Sequence, residues 1–142
     1  MAPAEFKYLR LSRVGDVVLI EIMSKDMQGP DRVKEFIAEL TKVVNGESAR
    51  PLLLDLHRTI YFSSMGYAAL FKMVKLAKER QRPIRFCDMH PDVCVGAEIV
   101  GLKLVVEIHD CQKSALDAFM QGEEKGPGEQ LDSESGSAIY TI

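Results

Sequence analysis

The chain has 142 residues, 46% of them hydrophobic and 27% charged, which is the composition of one ordinary globular domain. Its 18 Lys and Arg residues against 21 Asp and Glu residues give a formal net charge of −3 at pH 7. Such a chain carries no large basic field for a phosphate backbone or an anionic lipid surface. We therefore expect no direct binding to nucleic acid or to a membrane.

The cysteine content and the first residues indicate the compartment. The chain has three cysteines, Cys87, Cys94 and Cys111. Their odd number and the lack of a Cys-x-x-Cys pair predict small core side chains rather than a disulfide framework. The amino-terminal segment lacks the apolar region of a secretory signal, and no apolar stretch is long enough to cross a bilayer. We expect a cytoplasmic protein that needs no metal or other cofactor.

The chain opens with a predicted antiparallel hairpin. Apolar and charged residues alternate as far as Leu11, a Gly-Asp pair at 15–16 is typical of a turn, and Val17 to Ile22 is rich in β-formers. The alternation changes phase between Tyr8 and Leu9, so the sequence leaves open which face of the first strand is buried.

A helix and a central strand follow the hairpin. Asp31 is the predicted N-cap, Asn45-Gly46 ends the pattern, and the apolar stripe between them consists of Val33, Phe36, Ile37, Leu40 and Val44. Pro51 to Leu56 is a short, mostly apolar run of the kind expected in a strand covered on both faces.

The second half alternates helices with strands. A helix with a wide apolar face is predicted from Ser63 or Ser64 to about Arg80. The elements predicted after it are a strand at Ile84 to Cys87, a helix at Pro91 to Val100 closed by Gly101, a strand at Leu104 to Ile108, and a helix capped by Asp110 whose stripe is Ala115, Leu116, Phe119 and Met120.

This order predicts an α/β fold. Right-handed crossovers place the helices on the faces of a mostly parallel sheet, and the hairpin supplies an antiparallel edge. We assign residues 1–121 to one domain. Residues 122–142 are rich in Gly, Glu and Ser and predict a disordered tail, although its last residues, Ala138 to Ile142, would also suit a strand added to a sheet edge.

Two serines mark the most informative segment, where a β-rich run meets the second helix. One of Ser63 and Ser64 is expected to cap that helix through its hydroxyl. A serine at a helix N-terminus is also a suitable phosphate site, because the added negative charge meets free N–H groups and the positive end of the helix dipole. Capping and phosphorylation are compatible, so both interpretations stay open.

Catalytic and metal sites are disfavoured. A nucleophilic serine would need His57 as its base with Asp55 behind it, but no Gly-x-Ser-x-Gly elbow follows. Cys87, His90 and Cys94 lack the paired spacing of zinc sites. The glycine-rich motifs that bind dinucleotides or nucleoside triphosphates do not occur.

The pattern as a whole, from about Glu5 to Met120, resembles the STAS domain of bacterial anti-sigma factor antagonists. The strand at 51–56 followed by Tyr-Phe-Ser-Ser-Met-Gly at 61–66 is similar to that family's strand and its Asp-Ser-Ser-Gly or Ser-Ser-Ala-Gly helix start. His-Pro-Asp-Val at 90–93, running to Ile-Val-Gly-Leu at 99–102, is similar to the family's Ser-Pro-x-Val helix that ends in Thr-Gly-Leu.

The resemblance implies a switchable binding module with an α/β, STAS-like mixed sheet and about four helices. In the family, the serine two residues before the motif's glycine is phosphorylated by an anti-sigma factor that is itself a serine kinase. That serine aligns with Ser64, and Ser63 is the second candidate acceptor. Ser63 stands where many members carry Asp, and Met65 where they carry a second Ser. The implied contact surface is Phe62, Ser63, Ser64, Met65, Gly66 and Tyr67.

The implied partners are the anti-sigma factor kinase and a serine phosphatase, and the implied protein is not an enzyme. One alternative function stays open, a STAS scaffold or binding subunit that is never phosphorylated and belongs to a transport or signalling complex. Weak association into a homo-oligomer is compatible with either function.

Overall fold

The computed structural model describes residues 6–46 and 48–121. Its strands are β1 (Leu9–Val14), β2 (Val17–Ile22), β3 (Asp26–Met27), β4 (Leu52–Asp55), β5 (Tyr61–Phe62), β6 (Ile84–Cys87) and β7 (Glu107–His109). Its helices are α1 (Pro30–Val44), α2 (Ser64–Glu79), α3 (Pro91–Val100) and α4 (Gln112–Met120), with a 3₁₀ turn at Leu102–Leu104. The predicted tail at 122–142 lies outside the described residues.

The main sheet has five strands in the order β1-β2-β4-β6-β7. β1 pairs antiparallel with β2, with Leu9 opposite Ile22, and the other neighbouring pairs are parallel. The short strands β3 and β5 form a separate parallel pair. The predicted α/β fold with an antiparallel hairpin at one edge is therefore confirmed.

Two apolar layers cover the sheet. Alternate residues such as Ile20, Leu54 and Phe86 join the larger core with side chains of α1, α2 and α3. The residues between them, such as Leu53, pack on the opposite face with Ala115 of α4. Because β4 is the middle strand, all four of its residues are buried, as the apolar run predicted.

Helix starts account for two wrong predictions. α1 begins one residue before Asp31, with Pro30 in its first turn and Gly29 as N-cap, because proline already has the helical φ and needs no N–H partner there. α4 is preceded by Cys111, not Asp110, and the cysteine side chain makes no capping bond. Cys111 is exposed and Cys94 is only partly buried, so Cys87 is the one cysteine that lies in the core as predicted.

The last strand is shorter and later than Leu104 to Ile108. Gly101 ends α3 with a positive φ of 83°, and the chain then makes the 3₁₀ turn, which buries Leu102 and exposes Leu104. β7 begins only at Glu107. Met120 is also exposed, so the stripe of α4 ends before it.

Candidate functional site

The segment between β4 and α2 is held against the chain that leads into β3. The N–H of Ile60 donates to the carbonyl of Lys25 at 2.8 Å, and the Thr59 hydroxyl donates to the carbonyl of Ser24 at 2.8 Å. Thr59 is fully buried. Tertiary hydrogen bonds therefore fix the place where α2 begins.

Ser63 is the N-cap of α2. Its hydroxyl accepts from the N–H of Gly66 at 3.1 Å and donates to the carbonyl of Met27 at 3.3 Å. Its own N–H donates to the same Met27 carbonyl at 3.0 Å. Ser63 is partly buried and its hydroxyl is fully engaged, so its capping role is structural.

Ser64 is the first residue of α2 and is exposed. Its hydroxyl makes no hydrogen bond to any of the residues that the structure describes. The first turn of α2 contains no acidic residue, so the positive end of the helix dipole is not neutralised by a carboxylate of that turn. The two neighbouring serines thus differ, because the hydroxyl of Ser63 is hydrogen-bonded within the fold and that of Ser64 faces solvent.

Three of the residues in the predicted contact surface point inward. Phe62 packs between Phe36 and Tyr67, with ring centroids 6.5 Å and 5.4 Å away. The Tyr67 hydroxyl donates to the carbonyl of Val93 at 2.9 Å, and burial raises the pKa of this phenol. Phe62, Gly66 and Tyr67 are buried and support the surface from below.

The surface around Ser64 is apolar and includes two residues that the sequence did not single out. Ile60, Tyr61 and Met65 are 41%, 49% and 52% exposed. Strand alternation could have identified Tyr61, because Phe62 next to it points into the core. We call Ile60, Tyr61, Ser64 and Met65 the Ser64 surface.

A separate polar cluster lies at the carboxyl end of β4. Asp55 is only 1% exposed, and its Oδ1 accepts from the N–H of His57 at 2.8 Å and contacts His57 Nδ1 at 2.9 Å. Side-chain atoms of the kinds that bind metal ions also lie close together in two groups. One group is Glu21, Asp55 and His57, and the other is Asp55, Cys87 and Asp88. Burial raises the pKa of the Cys87 thiol, which disfavours the thiolate that a metal requires.

Comparison with protein families assigns the fold. The STAS domain model matches residues 31–115, more than half of the chain. The chain belongs to the STAS domain family. A sequence comparison with curated proteins finds no significant match.

Solved STAS structures agree with this assignment. An anti-sigma factor antagonist domain from Planctomyces limnophilus has a TM-score of 0.68 at 19% identity, covering 79% of this chain and 97% of its own. Unphosphorylated SpoIIAA, an anti-sigma factor antagonist, has a TM-score of 0.64 at 14% identity, with 82% and 99% covered. The STAS domain of a SulP transporter from Vibrio cholerae has a TM-score of 0.59 at 16% identity, with 78% and 85% covered.

Among the described residues of this STAS fold, no helix is both long enough and apolar enough to cross a bilayer.

Proposed function

We propose that this protein is an anti-sigma factor antagonist that binds an anti-sigma factor with serine kinase activity and is released when Ser64 is phosphorylated. The observation that carries the proposal is the exposed Ser64 hydroxyl at the first position of α2, next to a Ser63 hydroxyl that is already bonded. The likeness to the SpoIIAA fold supports the same class.

The phosphorylated state is compatible with the fold. A phosphoserine carries a charge of about −1.5 to −2 at neutral pH and is favourable near helix N–H groups. No acidic residue lies in the first turn of α2 to repel it. Phosphorylation of Ser64 is therefore expected to leave the domain folded, whereas phosphorylation of Ser63 would remove its bonds to Met27 and Gly66.

Phosphorylation would act on the partner contact instead. Tyr61 and Met65 on either side of Ser64 are about half exposed and supply apolar area for a protein interface. A doubly charged group placed within that contact must be desolvated without a matched cation, which costs about 3–5 kcal/mol. This corresponds to a loss of affinity of roughly a hundredfold to several thousandfold.

In this proposal the protein is a ligand and a substrate, and the chemistry belongs to its partners. The kinase transfers the phosphoryl group and a serine phosphatase removes it. The site of action is the cytoplasm, where both enzymes and the sigma factor meet.

The test is binding to a purified anti-sigma factor kinase, with and without ATP. Wild type should bind without ATP, gain one phosphate on Ser64 with ATP, and then dissociate. Ser64→Ala should bind in both conditions, and Ser64→Asp should bind about 10- to 100-fold more weakly, a smaller loss than for phosphoserine because Asp carries a single charge. Ser12→Ala, at an exposed serine of β1, is the matched control. Phosphate on another residue, or equal affinity of the Ser64 variants, would refute the proposal.

The transporter-type STAS fold supports a second candidate, a scaffold that binds its partner permanently through the same surface. This candidate predicts a complex that ATP does not dissociate and a chain that no serine kinase modifies. The same binding experiment therefore separates the two functions.

A further inference from the structure

A third serine lies in a polar network on the far edge of the sheet, outside the Ser64 surface. The Oγ of Ser114, in the first turn of α4, is 3.0 Å from Nδ1 of His109 at the end of β7. The Nε2 of His109 is 3.0 Å from Oε1 of Glu107, two residues earlier in the same strand. The three side chains therefore form a serine–imidazole–carboxylate chain.

Glu107 determines which imidazole nitrogen carries the hydrogen. The hydrogen bond from His109 and the positive charge of Arg85 lower the pKa of Glu107 to about 2, so at neutral pH its carboxylate only accepts. His109 must then donate from Nε2. In the neutral ring this leaves Nδ1 without a hydrogen, so Nδ1 accepts the hydrogen bond from the Ser114 hydroxyl.

Neighbouring elements hold this arrangement in place. Arg85 of β6 donates from Nε to Glu107 at 3.0 Å, and its guanidinium lies 4.7 Å from the ring centroid of Phe119 on α4. The His109 side chain is only 17% exposed, whereas Ser114 is exposed. The imidazole base is therefore sheltered from solvent, and the Ser114 hydroxyl is exposed to solvent.

Backbone donors are present beside the hydroxyl. The first N–H groups of an α-helix have no acceptor within the helix. Ser114 is the third residue of α4, and Cys111 gives that helix no side-chain cap. Among the described residues, the N–H groups of Lys113 and Ser114 therefore have no helical acceptor, and donors of this kind can stabilise an oxyanion that forms on the acyl group.

We propose that Ser114 is a nucleophile that accepts an acyl group from activated esters. His109 activates the Ser114 hydroxyl as a base, and Glu107 orients His109. This would be a second covalent modification site, independent of Ser64. The combination of a nucleophile, a base within hydrogen-bond reach and a third group that orients the base is the arrangement that activated serines share.

The reaction balances as an ordinary acyl transfer. The Ser114 oxygen attacks the carbonyl carbon of the ester while its proton passes to Nδ1 of His109. The bond between that carbon and the leaving oxygen then breaks, and the leaving group takes the proton from His109. The products are O-acyl-Ser114 and the free alcohol or phenol, and no oxidant or further reactant is consumed.

The probe for the test is p-nitrophenyl acetate, added to the full chain at pH 8, with peptide mapping of the acetyl group over time. Ser114 should be acetylated at least about 100-fold faster than the exposed Ser12 of the same chain, in keeping with the usual effect of a positioned base. His109→Gln should abolish this difference and Glu107→Gln should reduce it. His90→Gln, at a histidine outside the network, should not change it.

Two outcomes would overturn the proposal. One is acetylation of Ser114 no faster than Ser12, and the other is a label found mainly on Lys113 or on the exposed Cys111. Circular dichroism of each variant shows whether it is folded, and Ser114→Ala, at an exposed position, provides a folded chain without the nucleophile. Ser64→Ala should be acetylated as wild type is, so this result is independent of the proposed switch.

Discussion

The side-chain amide of Gln112 donates a 2.6 Å hydrogen bond to Oδ2 of Asp55, 57 residues earlier in the chain. This bond joins the first residue of α4 to the end of the central strand β4. Asp55 is buried, and its other oxygen is engaged by His57. A buried carboxylate requires such partners because the loss of a hydrogen bond leaves its charge poorly solvated.

Gln112→Ala should therefore lower the free energy of unfolding by about 2 kcal/mol, the usual contribution of a hydrogen bond to a charged group. Urea denaturation followed by circular dichroism measures it. Gln28→Ala is the control, because Gln28 is exposed and its bond to Asp26 is 3.5 Å long. Equal stability of the two variants would mean that water replaces Gln112 at no cost.

Gly66 lies where α2 approaches β3 closely. A Cβ at this position would lie 2.7 Å from the carbonyl oxygen of Met27 and 3.0 Å from Cδ2 of Phe62. Because the first of these atoms is backbone, relief requires movement of the β3–β5 pair. We expect Gly66→Ala to destabilise the domain by about 2 kcal/mol through overpacking.

Helix propensity alone predicts that Gly66→Ala stabilises the domain. In an unobstructed helix, Ala is favoured over Gly by about 1 kcal/mol. The exposed Ala68 in the same helix provides the matched control, since Ala68→Gly should cost about that amount. Thermal or urea unfolding that shows Gly66→Ala to be more stable than wild type would contradict the close contact with Met27.

Local sequence patterns located the start of α2 but could not show which of its two serines caps the helix, and only the family resemblance favoured Ser64 as the acceptor. Periodicity and capping preference place the helix boundary at Ser63 or Ser64, and the structure puts it between them. The distinction depends on the carbonyl of Met27, which lies 36 residues before Ser63. Local patterns contain no information about such a contact, so the free hydroxyl is identified only by the tertiary structure.

The Ser114 network was missed for a related reason. The sequence predicted a strand at Leu104 to Ile108, whose phase was set by its apolar residues. Strand alternation puts Glu107 and His109 on one face, but the predicted strand ended at Ile108 and so left His109 outside it, whereas β7 runs to His109. The contact with Ser114 on α4 is tertiary, and periodicity does not reveal it.

The difference between the two serines has a direct consequence for stability. Ser63→Ala removes an N-cap and should cost about 1 kcal/mol. Ser64→Ala removes an exposed hydroxyl and should change the free energy of unfolding by less than about 0.5 kcal/mol. Urea unfolding of both variants side by side measures the contrast. A larger loss for Ser64→Ala would mean that Ser64, and not Ser63, caps α2.

Glu107 should make stability depend on pH in the acid range. Its pKa is lowered from 4.5 to about 2, so its carboxylate stabilises the folded state fully above pH 4.5, and this contribution is lost as the pH falls toward 2. Glu107→Gln should lower stability at pH 7 by about 1 kcal/mol, a modest value because the side chain is largely exposed, and by nearly nothing at pH 2. A difference that is the same at both pH values would contradict the assignment.

Arg82, which follows α2 in the chain, caps the carboxyl end of α1 with its side chain. Its buried guanidinium donates to the carbonyls of Val43, Val44 and Arg50 at 3.1, 2.9 and 2.9 Å. The last carbonyls of a helix have no N–H partner within it, and a planar group with several donors satisfies them together. Burial lowers the pKa of Arg82, so these bonds form at the expense of hydration of the charge.

Arg82→Met should consequently destabilise the domain by about 3 kcal/mol, because it leaves the carbonyls of Val44 and Arg50 without a donor among the described residues and leaves Val43 only the N–H of Gly46. Arg82→Lys should recover only part of this loss, since an ammonium group cannot span the same carbonyls. Arg80→Met is the control, because Arg80 is exposed and its contact with the Asn45 carbonyl is 3.4 Å long. If urea unfolding gave Arg82→Lys the stability of wild type, charge alone and not the guanidinium geometry would hold the end of α1.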